Sequence, residues 1–225
     1  MIHELDMWIL RQAAAQLKRW HAQYPCDPPL SVSVNLSPRQ FEEAHLVDDI
    51  AEVLRETALE PSSLRLEITE SLLLENHDQA RDVLVGLKQL GIGLKLDDFG
   101  TGYSSLAYLA QLPFDTMKID QAFMLQLRAG DANSDIVASI LDMAHTLGMR
   151  VIAEGVERND QVTRLISMGC EFGQGYFFSR PVSVEDAERL MTEMRAPAVS
   201  APVPAGPPLA GAPEPVVYLP EPGCK

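Results

Sequence analysis

Two adjacent aspartates, Asp97 and Asp98, are the part of the sequence that most clearly suggests chemistry. They end an apolar run and precede a turn-forming stretch, residues 99–105 (FGTGYSS). Carboxylates this close repel each other unless a cation lies between them, so the pair indicates a divalent metal site. Taken alone, an Asp pair more commonly caps a turn or a helix.

Further polar residues end other apolar runs, and together they favour a metal site over a simple cap. These residues are Asn35, Glu67, Lys118, Glu154 and Gln174. Carboxylate and amide oxygens suit Mg²⁺ or Mn²⁺, whereas zinc sites prefer thiolate and imidazole ligands. Two more glutamates, Glu70 and Glu157, follow closely behind Glu67 and Glu154. For these two, salt bridges or loop anchoring are as consistent with the sequence as metal binding.

Lys118 is flanked by apolar residues, so its side chain is expected to point towards the same cluster. It could pair with the carboxylates, orient a water molecule, or act as a Schiff-base amine. So many carboxylates would hold it protonated, which argues against the Schiff-base role. Gln174 lies between two glycines and could contact a base or a phosphate, or be an ordinary loop amide.

Short apolar runs alternate with helical patterns from the start of the chain to about residue 194. The runs are residues 30–36, 64–68, 92–96, 116–119, 151–153 and 172–178, and the helical patterns are residues 46–59, 79–90, 136–147 and 162–168. This alternation predicts a parallel sheet covered by helices. Because nearly every run ends in a polar residue, a (β/α)8 TIM-like barrel, whose strand ends meet at one mouth, is favoured over a doubly wound sheet. Only about six strands are recognisable, so we expect an α/β barrel that lacks its first strands.

Composition and charge narrow the range of partners. A net charge of −14 argues against DNA binding, because a phosphate backbone would be repelled. No apolar run approaches the roughly 18 residues of a membrane span. Three widely spaced cysteines without metal-type spacing favour a reduced, cytoplasmic setting. Pro and Ala dominate residues 195–225, which predicts a disordered tail after a folded domain of residues 1–194.

Six motifs, in order and spacing, resemble those of the EAL-domain cyclic di-GMP phosphodiesterases. They are residues 33–37 (SVNLS), 67–70 (EITE), 97–105 (DDFGTGYSS), 118–120 (KID), 153–157 (AEGVE) and 174–176 (QGY). The resemblance implies a modified (β/α)8 barrel that uses Mg²⁺ or Mn²⁺ in a two-metal site. The implied reaction is hydrolysis of one phosphodiester bond of cyclic di-GMP to give linear pGpG. It also implies a homodimer or another form of self-association.

The resemblance assigns roles to individual positions. The residues that resemble metal ligands form two sets, Asn35, Glu67 and Asp97 for one metal, and Asp97, Asp98 and Glu154 for the other. Lys118 would position or activate the attacking water, and Glu70 would anchor the loop of residues 98–105. Gln174 and Glu157 would support the mouth of the barrel.

One family feature is absent, because no Glu-Ala-Leu tripeptide occurs in the chain. The glutamate of that motif is a metal ligand in the family, and its position would precede Met1. Two functions of different classes are therefore open: a cyclic di-GMP phosphodiesterase, or a catalytically inactive barrel that binds cyclic di-GMP or a protein partner. A third reading, made without the family, is a Mg²⁺-dependent lyase or isomerase barrel with Lys118 as the base.

Overall fold

Six parallel strands alternate with helices in the part of the chain that the structure, a computed structural model, describes: residues 2–75, 77–100, 106–125, 127 and 132–195. The strands are β1 Val32–Asn35, β2 Leu64–Thr69, β3 Gly93–Phe99, β4 Thr116–Ile119, β5 Arg150–Ala153 and β6 Phe172–Gly173. The helices are α1 Ile2–Gln23, α2 Pro38–Phe41, α3 Leu46–Thr57, α4 Leu72–Glu75, α5 His77–Gln89, α6 Leu106–Leu109, α7 Gln121–Leu125, α8 Ala132–Thr146, α9 Asn159–Ser167 and α10 Val184–Arg195, with a 3₁₀ turn at Pro61–Ser63.

The strands lie side by side in chain order, β1-β2-β3-β4-β5-β6, and every neighbouring pair is parallel. A doubly wound sheet would reverse this order at its switch point, whereas a barrel keeps it. The predicted class, a (β/α)8-type barrel represented here by six of its strands, is therefore confirmed. Of the strands described, β1 and β6 lie at the two ends of the sheet.

Alternation along the strands separates an apolar face from a polar one. On β2, Leu64, Leu66 and Ile68 are fully buried in the core shared with the helices. Successive strand residues point to opposite faces, so Glu67 between them points to the barrel interior. In many barrels branched apolar residues fill that interior. Here β3 adds Lys95 and Asp97 to it, so the interior of the described sheet is charged.

Two similar contacts fix the ends of the strands opposite the mouth. Just before β4, the carboxylate of Asp115 accepts hydrogen bonds from Leu94 N at 2.8 Å and from Lys88 Nζ at 2.8 and 2.9 Å. Just before β6, Glu171 accepts one from Val151 N and contacts His145, both at 3.1 Å. Each acid ties the start of its strand to the neighbouring strand and to the helix that precedes that neighbour.

One predicted strand, residues 172–178, is wrong beyond Gly173. The backbone turns at Gly175, where Phe178 N donates to Gly175 O at 3.0 Å. A Cβ on Gly175 would lie 2.3 Å from Val156 O, so the turn packs directly on the loop after β5. The apolar residues that follow belong to this turn and not to a ladder.

The last described helix, α10, contacts the first. Trp20 Nε1 and Gln16 Nε2 both donate to Glu188 Oε1, at 2.9 and 3.3 Å. Neither of these helices, nor any other that the structure describes, is long and apolar enough to cross a membrane. Arg195, the first residue of the predicted tail, ends α10, and residues 196–225 lie outside the described residues.

Deleting residues 196–225 is expected to leave the melting temperature within about 2 °C of the full chain. Their Pro- and Ala-rich composition offers too little apolar surface to offset the entropy lost on ordering. Circular dichroism melting of the two proteins is the measurement. A fall of about 5 °C or more, the equivalent of roughly 1–2 kcal/mol, would show that the tail docks on the domain.

Candidate metal centre

Lys118 lies at the centre of the predicted site. It is 4% exposed, and its Nζ contacts Glu67 Oε2 at 2.6 Å, Asp97 Oδ1 at 2.9 Å and Glu154 Oε1 at 2.8 Å. The three carboxylates come from β2, from β3 and from the residue after β5. The structure thus brings together, at the carboxyl ends of the strands, side chains that the sequence analysis assigned to the ends of separate strands.

A register shift explains how two consecutive aspartates reach one site. Leu96 pairs with Met117 and Phe99 pairs with Ile119, so Asp97 and Asp98 together lie opposite one residue of β4. Such a bulge re-aims side chains that would otherwise alternate between faces. Asp98 adopts a left-handed backbone with φ 54°, which, apart from glycine, asparagine and aspartate tolerate best.

The bulge produces a set of oxygen ligands suitable for a hard divalent cation. One oxygen each of Asp97, Asp98 and Glu154 lies within 4.8 Å of the others. Mg²⁺ and Mn²⁺ prefer carboxylate oxygens, so this donor set fits either ion. The prediction of a divalent-metal site is confirmed at this level.

Lys118 and Glu67 hold each other in their charged forms. Burial alone would lower the pKa of Lys118, but the charge of Glu67 and hydrogen bonds to the three carboxylates raise it. Burial would likewise raise the pKa of Glu67, but the charge and hydrogen bond of Lys118, with help from Lys95 and Ser33, lower it. The pair therefore stays ionised across the neutral range.

Asp98 and Glu154 show the opposite behaviour. Burial raises the pKa of Asp98, and the charges of Asp97 and Asp120 raise it further. Burial also raises the pKa of Glu154, and there the hydrogen bond from Lys118 offsets only part of the effect. The charges of Asp97 and Glu67 also contribute to raising both pKa values, so a cation bound among these carboxylates would relieve the repulsion.

Glu70 holds the start of the loop after β3. It is 2% exposed, its Oε2 accepts a hydrogen bond from Gly100 N at 3.0 Å, and its own N donates to Asp97 O at 3.1 Å. Gly100 has φ 100°, and a Cβ there would lie 2.6 Å from the Phe123 ring. Residues 101–105 of the predicted loop lie outside the described residues. The contacts of Glu70 therefore support the predicted anchoring role only for the start of the loop, at Gly100.

Three predicted residues lie at the rim. Asn35 is exposed at the end of β1, next to Glu67 in register. Gln174 is exposed and Glu157 is exposed, on the loops that follow β6 and β5. Their backbones are held by Gln174 N to Ala153 O at 2.8 Å and Glu157 N to Gln161 Oε1 at 2.9 Å. Their roles in binding stay predictions.

Two charged residues of the site, Lys95 and Asp120, were given no role from the sequence. Lys95 is 2% exposed and contacts Glu67 Oε1 at 3.3 Å, and Asp120 raises the pKa of Asp98. A usable signal existed for each, because both alternate with a recognised site residue. Lys95 precedes Asp97 by two positions, and Asp120 follows Lys118 by two.

With this geometry established, comparison with known proteins identifies the family. The family model described as "EAL domain" matches residues 1–181. The chain belongs to the EAL domain family. Among curated proteins, this EAL chain is 40% identical over 195 residues to cyclic di-GMP phosphodiesterase NbdA of Pseudomonas aeruginosa. The alignment covers 87% of this chain and 25% of that protein, so the chain spans about a quarter of that relative's length.

Solved structures of the EAL family agree with the fold. The PaMucR phosphodiesterase in complex with c-di-GMP aligns with TM-score 0.77 and 39% identity, over 82% of this chain and 74% of that one. Klebsiella pneumoniae BlrP1, in a manganese/cy-diGMP complex, aligns with TM-score 0.70 and 31% identity, over 80% and 45% of the two chains.

Proposed function

We propose that this chain is the catalytic barrel of a cyclic di-GMP phosphodiesterase that acts in bacterial second-messenger signalling. The observation that carries the proposal is the group of Asp97, Asp98 and Glu154 around Lys118, at the carboxyl ends of the strands of an EAL domain. The names of two similar proteins, NbdA and the PaMucR c-di-GMP complex, support this substrate. Because the proposed substrate is a nucleotide signal, we also place the activity in the cytoplasm.

The proposed reaction adds one water across one of the two phosphodiester bonds. The water oxygen bonds to phosphorus, the bond from phosphorus to one ribose oxygen breaks, and linear pGpG results. Divalent cations bound in such a site supply Lewis-acid stabilisation of the charge that develops on the phosphoryl oxygens. Asp97, Asp98 and Glu154 would hold one cation, and Asn35 and Glu67, with Asp97 shared, would hold the other. BlrP1 in its manganese complex supports Mn²⁺ as one usable ion, and Mg²⁺ fits the same ligands.

Lys118 would orient the attacking water and does not take its proton. An ammonium whose pKa is raised by its carboxylate neighbours has no lone pair to accept one at neutral pH. It has three N–H donors, which the structure aims at Glu67, Asp97 and Glu154. A water that took the place of one of these carboxylates at Lys118 would accept a hydrogen bond from the ammonium and donate one to the displaced carboxylate, which fixes its position for attack.

A second candidate function is binding without turnover. The observation that favours it is that both carboxylate oxygens of Glu67 contact lysines, Oε2 at 2.6 Å from Lys118 Nζ and Oε1 at 3.3 Å from Lys95 Nζ. A carboxylate held in this way binds a divalent ion more weakly. The same barrel could then bind cyclic di-GMP, or a protein partner, and leave its phosphodiester bonds intact.

An assay that measures binding and hydrolysis together separates the two functions. The metal-free chain is mixed with cyclic di-GMP and Mn²⁺ or Mg²⁺, and pGpG is quantified by chromatography. Conversion that requires the metal, and that falls at least about 100-fold in Glu154→Gln, supports the phosphodiesterase, because a ligand of the reacting site is lost. Glu60→Gln, an exposed glutamate outside the site, is the matched control and should retain the rate. Binding of cyclic di-GMP without any pGpG would support the second function.

We also propose that the chain self-associates. Three apolar side chains of α1 are exposed, Leu5 at 55%, Trp8 at 57% and Ile9 at 44%. Apolar patches of this kind favour association with a second chain. Light scattering is expected to give a dimer or larger species that Trp8→Glu shifts towards monomer. Val85→Glu, on α5, should leave the mass unchanged, and a wild-type monomer at all concentrations tested would contradict the proposal.

A further inference from the structure

Lys95 is a buried lysine to which the reaction as described gives no role. It lies on β3 two positions before Asp97, so both side chains point into the barrel. It is 2% exposed, and its contacts include Ser33 Oγ at 2.7 Å and Glu67 Oε1 at 3.3 Å. A buried ammonium destabilises the folded protein unless it is paired with a negative charge. The contact with Glu67 offsets this cost, but it does not explain why a lysine stands at this position.

Through this contact, Glu67 divides its two oxygens between two lysines. Lys118 Nζ is 2.6 Å from Oε2, and Lys95 Nζ is 3.3 Å from Oε1. Both lysines are almost completely buried, so solvent screens their charges little. A divalent cation that used Glu67 as a ligand would have to share a carboxylate oxygen with one of these ammonium groups or displace that group.

The three carboxylates on the other side of Lys118 are arranged differently. Asp97, Asp98 and Glu154 already bring one oxygen each within 4.8 Å of the others. Their contacts with Lys118 involve Asp97 Oδ1 and Glu154 Oε1. Lys118 thus contacts one oxygen each of Asp97 and Glu154, whereas both oxygens of Glu67 contact lysines.

We propose that Lys95 is a positioning residue that makes the two metal positions unequal. By holding Glu67 Oε1, it lets the Asp97–Asp98–Glu154 position take a divalent cation first and makes the position that includes Glu67 bind one more weakly. The inference depends on the proposed function in one respect, because the two metal positions are part of that proposal. Its physical cause is repulsion between the Lys95 ammonium and a second cation on the same carboxylate.

Titration of the metal-free full-length chain with Mn²⁺, followed by the electron paramagnetic resonance of free Mn²⁺, tests this directly. The wild type should show one class of site and a second class at least tenfold weaker. Lys95→Met removes the charge and keeps most of the volume, so the weaker class should tighten at least tenfold while the tighter class changes less than threefold. Lys95→Gln should act in the same direction. Lys18→Met makes the same charge change at an exposed position of α1 and should alter neither class beyond threefold.

The outcomes separate this inference from the proposed function. Two classes that respond to Lys95→Met equally, or not at all, overturn the role of Lys95 even if cyclic di-GMP is hydrolysed. A selective response without hydrolysis supports the role of Lys95 and overturns the proposed activity. Absence of Mn²⁺ binding in every variant overturns both. If circular dichroism shows that Lys95→Met is unfolded, Lys95→Gln decides, because it keeps a donor for Glu67.

Discussion

Replacing Lys118 by methionine is expected to lower the free energy of unfolding by about 3–5 kcal/mol at pH 7 and to abolish hydrolysis. The change leaves Glu67, Asp97 and Glu154, which now share one ammonium at 2.6–2.9 Å, without their common partner. Removing one member of a buried ionic cluster costs this much because the remaining charges stay desolvated. Hydrolysis should fall at least about 1000-fold, because the variant cannot orient the attacking water.

The pH dependence of this loss follows from the carboxylates. In the wild type, Lys118 lowers the pKa of Glu67, so Glu67 contributes stability that is present above its unfolded pKa and is lost as the pH falls. Without the ammonium, burial and mutual repulsion would raise the pKa of Glu67, and folding would then favour its protonated form. The stability gap between the two proteins should therefore narrow between pH 7 and about pH 4–5.

Urea unfolding of both proteins in EDTA at several pH values measures the gap. Lys88→Met is the control, since Lys88 pairs with Asp115 but is 33% exposed and should cost less than about 1 kcal/mol. Two results would contradict the assignment of Lys118 as the centre of the site. One is a gap of under 1 kcal/mol at pH 7, and the other is a gap that widens as the pH falls.

The sequence predicted the parts of this site that depend on local alternation. The bounds of β4, Thr116–Ile119, agree with the apolar run that predicted it. Lys118 was expected to face the carboxylates, because a lysine inside a buried strand must point to a polar interior. Convergence of the strand ends followed from the barrel, since parallel strands in a barrel share one mouth.

What the sequence did not predict depends on contacts between distant residues. The bulge and the left-handed backbone at Asp98 arise where β3 pairs with β4, and the pattern of β3 alone does not reveal them. Alternation alone would have placed the side chains of Asp97 and Asp98 on opposite faces of the sheet. Alternation could have placed Lys95 on the same face as Asp97, but its contact with Glu67, 28 positions away, depends on the pairing of β2 with β3. Helix α10 was not among the predicted helices, and its contact with Trp20 spans 168 positions.

Asp98→Asn is expected to stabilise the metal-free protein and to remove most of its activity. The pKa of Asp98 is raised by burial and by the charges of Asp97 and Asp120, so its ionised form is disfavoured in the folded state. An asparagine removes that charge, keeps the size of the side chain and tolerates the left-handed backbone at φ 54°. Because Asp98 is partly exposed and screened, the gain should be about 0.5–1 kcal/mol at pH 7.

The direction of the pKa shift of Asp98 determines the pH range in which this residue lowers the stability of the protein. A carboxyl whose folded pKa is raised contributes stability that is fully present below its unfolded pKa and is lost as the pH rises through the folded pKa. Asp98 therefore costs stability at pH 7 and should cost little below about pH 4, close to its unfolded pKa. The advantage of Asp98→Asn in EDTA should accordingly disappear on acidification. Asp142→Asn, at an exposed position of α8, should change stability by less than about 0.5 kcal/mol at either pH.

Adding Mn²⁺ should reverse the order of the two proteins. The cation binds the folded state through Asp97, Asp98 and Glu154, so it stabilises the wild type by an amount that grows with metal concentration. Asp98→Asn has lost one of these carboxylates, gains less from the metal, and should hydrolyse cyclic di-GMP at least about 100-fold more slowly. Urea unfolding in EDTA and in Mn²⁺ gives four free energies per pair of proteins. A variant that is less stable than the wild type in EDTA would show that the repulsion at Asp98 is compensated within the protein, and that the position is built for structure and not for a cation.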